Sequence, residues 1–182
     1  RFTLLALTIA FAADRAVSWV LDRAYQADLN GQIGGQINRY LQRAKVPDVL
    51  VIGSSRAHHG VDPAVIAPNG YNLSHNGMNI AFQAGLVDLL DQHDRTPTRL
   101  LLVQVQPEDL IGGDAVLRHL QYLKYHHGRS AFITSAIDGL SWSERLKYLA
   151  ACHRFNGSAL TIPINALRPR TTGPGNGFEP SP

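Results

Sequence analysis

The chain has 182 residues, enough for one domain with a real core, and a formal net charge of +3 whose basic residues are scattered, leaving no stripe to track a nucleic-acid backbone. An apolar share of 45% against 17% charged excludes a disordered tail. A single cysteine, Cys152, excludes both an internal disulfide framework and a thiolate zinc cluster, and inside "YLAACHRF" it reads as small core filler.

Residues 2–13, "FTLLALTIAFAA", form an uninterrupted apolar run closed by Asp14 and Arg15. Twelve residues are too few to span a bilayer, which takes about 20, but suit the apolar region of a signal peptide or the last turns of a membrane anchor. A buried amphipathic helix is the alternative. Because the chain starts with Arg, upstream residues are expected to be missing.

From Asp14 to Lys45 apolar residues recur at a helical period, with Gly31 and the Gly34-Gly35 pair as weak points, which predicts two helical stretches. Pro47 ends the second. "DVLVIG", 48–53, is a short continuous apolar run rich in β-branched residues, as in a strand covered on both faces. "YNLSHNGM", 71–78, predicts a short strand running into a turn. Asn79 to His93 predicts an amphipathic helix through Ile80, Phe82, Leu86, Leu89 and Leu90, and "RLLLVQVQ", 99–106, another buried strand. Strand, helix and strand in alternation argue for a parallel sheet with helices on both faces, whose ligands sit at the carboxyl ends of the strands.

After Pro107 the pattern weakens into helical stretches near 114–125 and 141–152. His126 and His127 read as a cationic C-terminal cap. From Asn156 onward, regular structure is expected to stop among prolines and glycines. The organisation expected is a membrane-proximal or signal segment with a helical lead-in over 1–45, then an α/β domain over 46–182.

The chemistry-bearing feature is Gly53-Ser54-Ser55 at the end of the first strand. A serine becomes a nucleophile when held at a sharp strand-to-helix turn, given a base, and faced with donors for an oxyanion. Ser55 fits that place, with its own amide and that of Gly77 as candidate donors. His58 and His59 stand three and four residues on, where they line the pocket mouth, solvate the helix start or face the serine. His75 is one loop away, able to bind substrate or act as base. Arg56 either holds an anionic substrate group or pairs with Asp62 or Asp109. A phosphate cradle would require a Gly-x-Gly-x-x-Gly or a Walker lysine, and neither is present.

"VLVIGSSRAHHGVDP", "YNLSHNGMNIAFQ" and "LLLVQVQPEDL" together resemble the SGNH (GDSL-type) hydrolase superfamily, in particular the membrane-anchored, extracytoplasmic proteins of bacterial envelopes, over about residues 48–110. The family's first block reads Gly-Asp-Ser, so Ser55 takes the nucleophile's place and Ser54 replaces the aspartate. A Gly-Ser-Ser variant resembles the teichoic-acid alanylation branch. Gly77 matches the glycine of the second block. The Gly-x-Asn-Asp block is unmatched, since Pro107-Glu108-Asp109 stands there, and no Asp-x-x-His fits in the second half. The pair lies beyond the chain end or is absent.

The resemblance implies a three-layer α/β/α flavodoxin-like fold with a parallel sheet, C-terminally truncated. It also implies a serine esterase or O-acyltransferase acting on cell-envelope carbohydrate esters, exported or membrane-anchored. Ser55, Gly77 and His75 would be catalytic; Ser54, Arg56, His58 and Asn76 would bind substrate. No cofactor, metal or nucleic acid is expected. The alternative is a non-catalytic module that binds glycan or a membrane acyltransferase partner.

Overall fold

The computed structural model describes residues 1–110, 113–169 and 175–180. One helix, α1 (Phe2–Ala27), carries the apolar run without a break through Asp14 and Arg15. It is long and apolar enough to cross a membrane. Residues 2–13 are all exposed, whereas Ser18, Leu21, Asp22 and Tyr25 form a buried stripe at helical spacing. The two halves of α1 therefore have different surroundings.

A short wide turn of helix, Gly31–Gly35, leads into α2 (Gln36–Leu41). The chain then enters β1 (Val49–Ile52), and after Gly53 turns sharply into α3 (Ser55–Gly60). There follow β2 (Gly70–Asn72), α4 (Ile80–Gln92) and β3 (Leu100–Val103). The strands make a parallel sheet in the order β2-β1-β3, with Leu50 opposite Tyr71 on one side and Leu101 on the other. Parallel pairing requires the crossovers that α3 and α4 provide.

β1 is buried on both faces because it is central and its β-branched side chains have cover above and below. Leu50 and Ile52 pack with Ile37 and Tyr40 of α2 and with Phe82, Leu86, Leu89 and Leu90 of α4. Each such side chain contributes roughly 1.5–3 kcal/mol of burial. Lead-in and sheet thus share one core. α3 and the 3-10 turn Pro63–Val65 also pack against β1. β3 is not the buried strand expected from its apolar run: among the described residues it is an edge strand, paired on one side alone, with Leu100 and Val103 exposed and Leu101 and Leu102 half-buried. The other edge, at β2, is covered by the tail: the Asn72 N–H donates to the Asn176 carbonyl at 2.7 Å.

The second half is helical: α5 (Asp114–Leu117), a 3-10 stretch Arg118–His126, α6 (Ala131–Leu140), α7 (Trp142–Lys147), a 3-10 turn Ala151–Phe155 and α8 (Thr161–Leu167). Two of these depart from the sequence reading. α6 starts where the Ser130 hydroxyl accepts from the Ile133 N–H, and it buries Ile133 and Ile137. α8 forms beyond Asn156 because Ile162 packs with Leu21, Tyr25 and Phe155, and Pro163 lies in the first turn, where an N–H has no helical partner anyway. Of the proline- and glycine-rich tail, residues 170–174 and 181–182 lie outside the described residues.

The cationic cap expected of His126 is also corrected. Its ring is buried, with Tyr25 Oη at 3.3 Å, and burial pushes its pKa down to about 3. It is a neutral core residue. His127 instead bonds Asp138 at 2.8 Å and stacks on Tyr148.

Candidate functional site

The carboxyl ends of the three strands are bound to one another. The Gly53 carbonyl accepts from the His75 N–H at 2.9 Å, so the loop after β2 runs directly beside the turn after β1. On the other side the Gln104 N–H donates to the Ile52 carbonyl, continuing the β3 pairing by one residue. Gly53 is confined between these neighbours: a Cβ there would lie 2.6 Å from Ala57 Cβ and 2.7 Å from Gln104 Cβ. Only glycine fits that turn.

Ser54 and Ser55 have opposite fates. Ser54 is buried, and both its N–H (2.9 Å) and its hydroxyl (2.8 Å) bond Gln104 Oε1. Ser55 is exposed and opens α3, so its N–H is one of the donors that a helix start leaves without a partner inside the helix. The Met78 N–H bonds the His75 carbonyl, closing a turn in which Gly77 takes the third position with φ +73°, the conformation a type II turn demands there. Gly77 is exposed at the tip and Asn76 half-buried beside it.

The histidines are placed less openly. His75 is fully buried, edge-on to Phe82 at 5.0 Å between ring centroids. Burial above all drives its pKa down to about 3; His58 adds to the shift and backbone groups of Leu73 and Ile33 oppose it. Such a ring is neutral at ordinary pH and a weak proton acceptor. His58 is buried on α3, with Nε2 3.5 Å from Glu179 Oε2, an ion-pair separation without hydrogen-bond geometry. His59 Nδ1 meets the Glu179 carbonyl at 2.6 Å. No hydrogen bond from the Ser55 hydroxyl to a base occurs among the described residues.

Arg56 is exposed and forms no ion pair among the described residues. The two carboxylates offered to it by the sequence are engaged elsewhere. Asp62 accepts from the Ala64 N–H and from Asn176, while Asp109 accepts from the N–H groups of Ile80 and Gln106. Asp109 thereby fastens the β3 loop to the start of α4, whose own cap, Asn79, accepts from Ala81 and Phe82. Behind the turn, Asn72 donates to the carbonyls of Ala57 and Val61, holding the end of α3.

Gln104, Asn72 and Glu179 were missed by the sequence reading. The register was the available signal for Gln104, because the residue just past β3 must lie beside Gly53. Ser74 Oγ and both side-chain atoms of Gln83 are buried without a hydrogen bond. No cluster of three or more metal-ligating side chains occurs among the described residues. A separate cavity of about 810 Å³ opens between Gly31–Gly35 and the later helices, lined by Tyr25, Arg118, Lys124, Tyr148 and His153 among others, and none of the residues singled out around Ser55 lines it.

Comparison with protein-family models, characterised proteins and solved structures gives no match to this chain.

Proposed function

We propose that this protein is an SGNH-like serine esterase or O-acyltransferase for carbohydrate esters of the cell envelope, held at the outer side of a membrane by α1. The observation that carries the reading is the exposed Ser55 at the carboxyl end of the central strand, one hydrogen bond from the loop that carries Gly77. The strand order 2-1-3 supports it too, being the opening of the flavodoxin-like order 2-1-3-4-5.

In this mechanism Ser55 Oγ attacks the acyl carbonyl carbon while a base takes the hydroxyl proton. The N–H groups of Ser55 and Gly77 receive the oxyanion, the alcohol leaves with the proton, and an acyl-Ser55 ester remains. A sugar hydroxyl or water then takes the acyl group. Arg56 and Asn76 would orient the acceptor, whereas His58, buried with both ring nitrogens out of reach of solvent, stays behind the site.

The missing contact between Ser55 and a base favours a second reading, a non-catalytic module that binds glycan or a membrane acyltransferase. A fluorophosphonate probe on the full chain separates the two. Labelling that disappears in Ser55→Ala supports the enzyme; no labelling supports the binding module, and equal labelling of both proteins overturns Ser55 as the nucleophile.

A further inference from the structure

The charged pair that ends the apolar run does more than stop it. The Asp14 carboxylate accepts from the Ala151 N–H at 2.8 Å and from the Cys152 N–H at 3.0 Å. The Cys152 thiol donates to the Asp14 carbonyl at 3.1 Å, and Arg15 donates to the Leu149 carbonyl at 3.0 Å. One turn further, Arg154 donates to Ser18 and Asp22. These bonds fix the height of the 149–154 segment on α1.

That height is unusual. Leu149 and Ala150 share an apolar groove with Leu7, Ala10 and Phe11, beside the apolar run itself. Leu7 lies about 10 Å along the helix from Asp14, on the side away from the domain's polar clamps. Leu149 is 70% exposed, Trp142 76% and Leu146 48%. Trp142 and Leu146 are four residues apart on α7 and share a face, and Leu149 follows in the turn after it. Arg145 is exposed and outside any ion pair among the described residues, and Lys147 is bonded to Glu144.

We infer that this corner is a second membrane contact: Trp142, Leu146 and Leu149 enter the interfacial layer of the same bilayer that holds α1, with Arg15 and Arg145 at the level of the lipid phosphates. The inference rests on the reading of α1 as a membrane tether. Given that tether, Leu149, clamped beside Leu7 and Phe11, has no water to face, and α7 with Trp142 and Leu146 ends two residues before it. A tryptophan beside aliphatic residues with arginines at the margin is the composition of an interfacial surface, which sits roughly 5–10 Å into the headgroup boundary. The domain would then lie against the lipid instead of hanging below it.

The test uses the full chain in phosphatidylcholine vesicles with a minor share of phosphatidylglycerol. Trp19 and Trp142 are the only tryptophans, so Trp19→Phe leaves one reporter at the corner. Bromines near the headgroup should quench it about twofold more than bromines near the chain ends, in keeping with interfacial depth, and Leu149→Asp in the same background should abolish the quenching. A chain with both tryptophans replaced by Phe and Phe11→Trp added reports on α1. Quenching at position 11 without quenching of Trp142 overturns the corner and leaves the tether standing. No quenching at position 11 removes the tether, and the corner with it. A blue-shifted Trp142 that bromine does not reach means that protein covers the corner, which also overturns the inference.

Discussion

Gln104 Oε1 accepts two hydrogen bonds from the same residue, one from the Ser54 N–H and one from the Ser54 hydroxyl. A side chain from the end of one strand thus holds the backbone turn at the end of its neighbour, immediately before the exposed Ser55. Gln104→Ala would leave a buried N–H and a buried hydroxyl without partners. The expected cost is about 1–3 kcal/mol in urea unfolding. Gln104→Glu, which keeps an acceptor oxygen, should lose less. If Ser55 is the nucleophile, its fluorophosphonate labelling should slow in the alanine variant before the fold is lost.

The glycines of the two adjoining turns, Gly53 after β1 and Gly77 after β2, should fail for different reasons. Gly53→Ala forces a Cβ against Ala57 and Gln104, an overpacking cost of about 1–3 kcal/mol, and Ala57→Gly in the same chain should recover part of it. Gly77 has open space around it, so Gly77→Ala pays only for its positive φ, about 1–2 kcal/mol. Gly77→Asn should be milder still, since asparagine tolerates that region. Equal losses for Gly77→Ala and Gly77→Asn in a chemical denaturation series would show that side-chain contacts, not torsion, govern the site.

The sheet was legible because its signals are local. The runs at Val49–Ile52 and Leu100–Val103 are continuous and apolar, and α4 shows a helical period between them. The extent of α1 was partly legible, and its stripe of Asp14, Ser18 and Asp22, spaced by four, could have been read as the face that meets the domain. What the sequence hides is pairing between distant residues. Apart from the alignment of the two apolar runs, nothing near Gln104 marks it as the partner of Ser54, fifty residues earlier, and nothing near Glu179 ties it to His58. The short helix α8 was lost for a similar reason: its stability comes from packing against α1, while its local composition argues for a loop. Burial of His75 was equally invisible, because a histidine in "LSHNG" reads as exposed loop until the strand pairing turns it inward.

The clamp between α1 and the later helices offers a chemical readout through Cys152. Burial first, and the hydrogen bond and charge of Asp14 after it, hold the thiol's pKa above its usual value, so the native thiol should react slowly with maleimide. Asp14→Ala removes the carboxylate's influence on the thiol and the cap on the Ala151 and Cys152 N–H groups, while the thiol's bond to the Asp14 carbonyl remains. Alkylation of this single cysteine should then accelerate several-fold near pH 8, with about 1–2 kcal/mol of stability lost. Asp14→Asn, which retains an acceptor oxygen without the charge, should fall between. An alkylation rate identical in all three proteins would mean that the clamp does not shield the thiol.

Acid should destabilise the fold through two buried histidines. His75 and His126 are each pushed down to about 3, chiefly by burial, with His58 and Arg39 near the first and Arg129, His93 and Arg154 near the second adding repulsion. In the unfolded chain both titrate near 6.5. Between those values the unfolded state binds protons that the folded state refuses, so stability must rise with pH across that window and fall as the pH drops from about 6.5 toward 3. The limiting slope is about 1.4 kcal/mol per pH unit for each histidine. Thermal midpoints followed from pH 7 to pH 4 should therefore decline steadily. His75→Gln, which cannot take up a proton, should shallow the decline by roughly half of the histidine contribution even if it lowers stability at pH 7. A curve for His75→Gln parallel to that of the unaltered protein would mean that the ring is protonated as readily inside the fold as outside it.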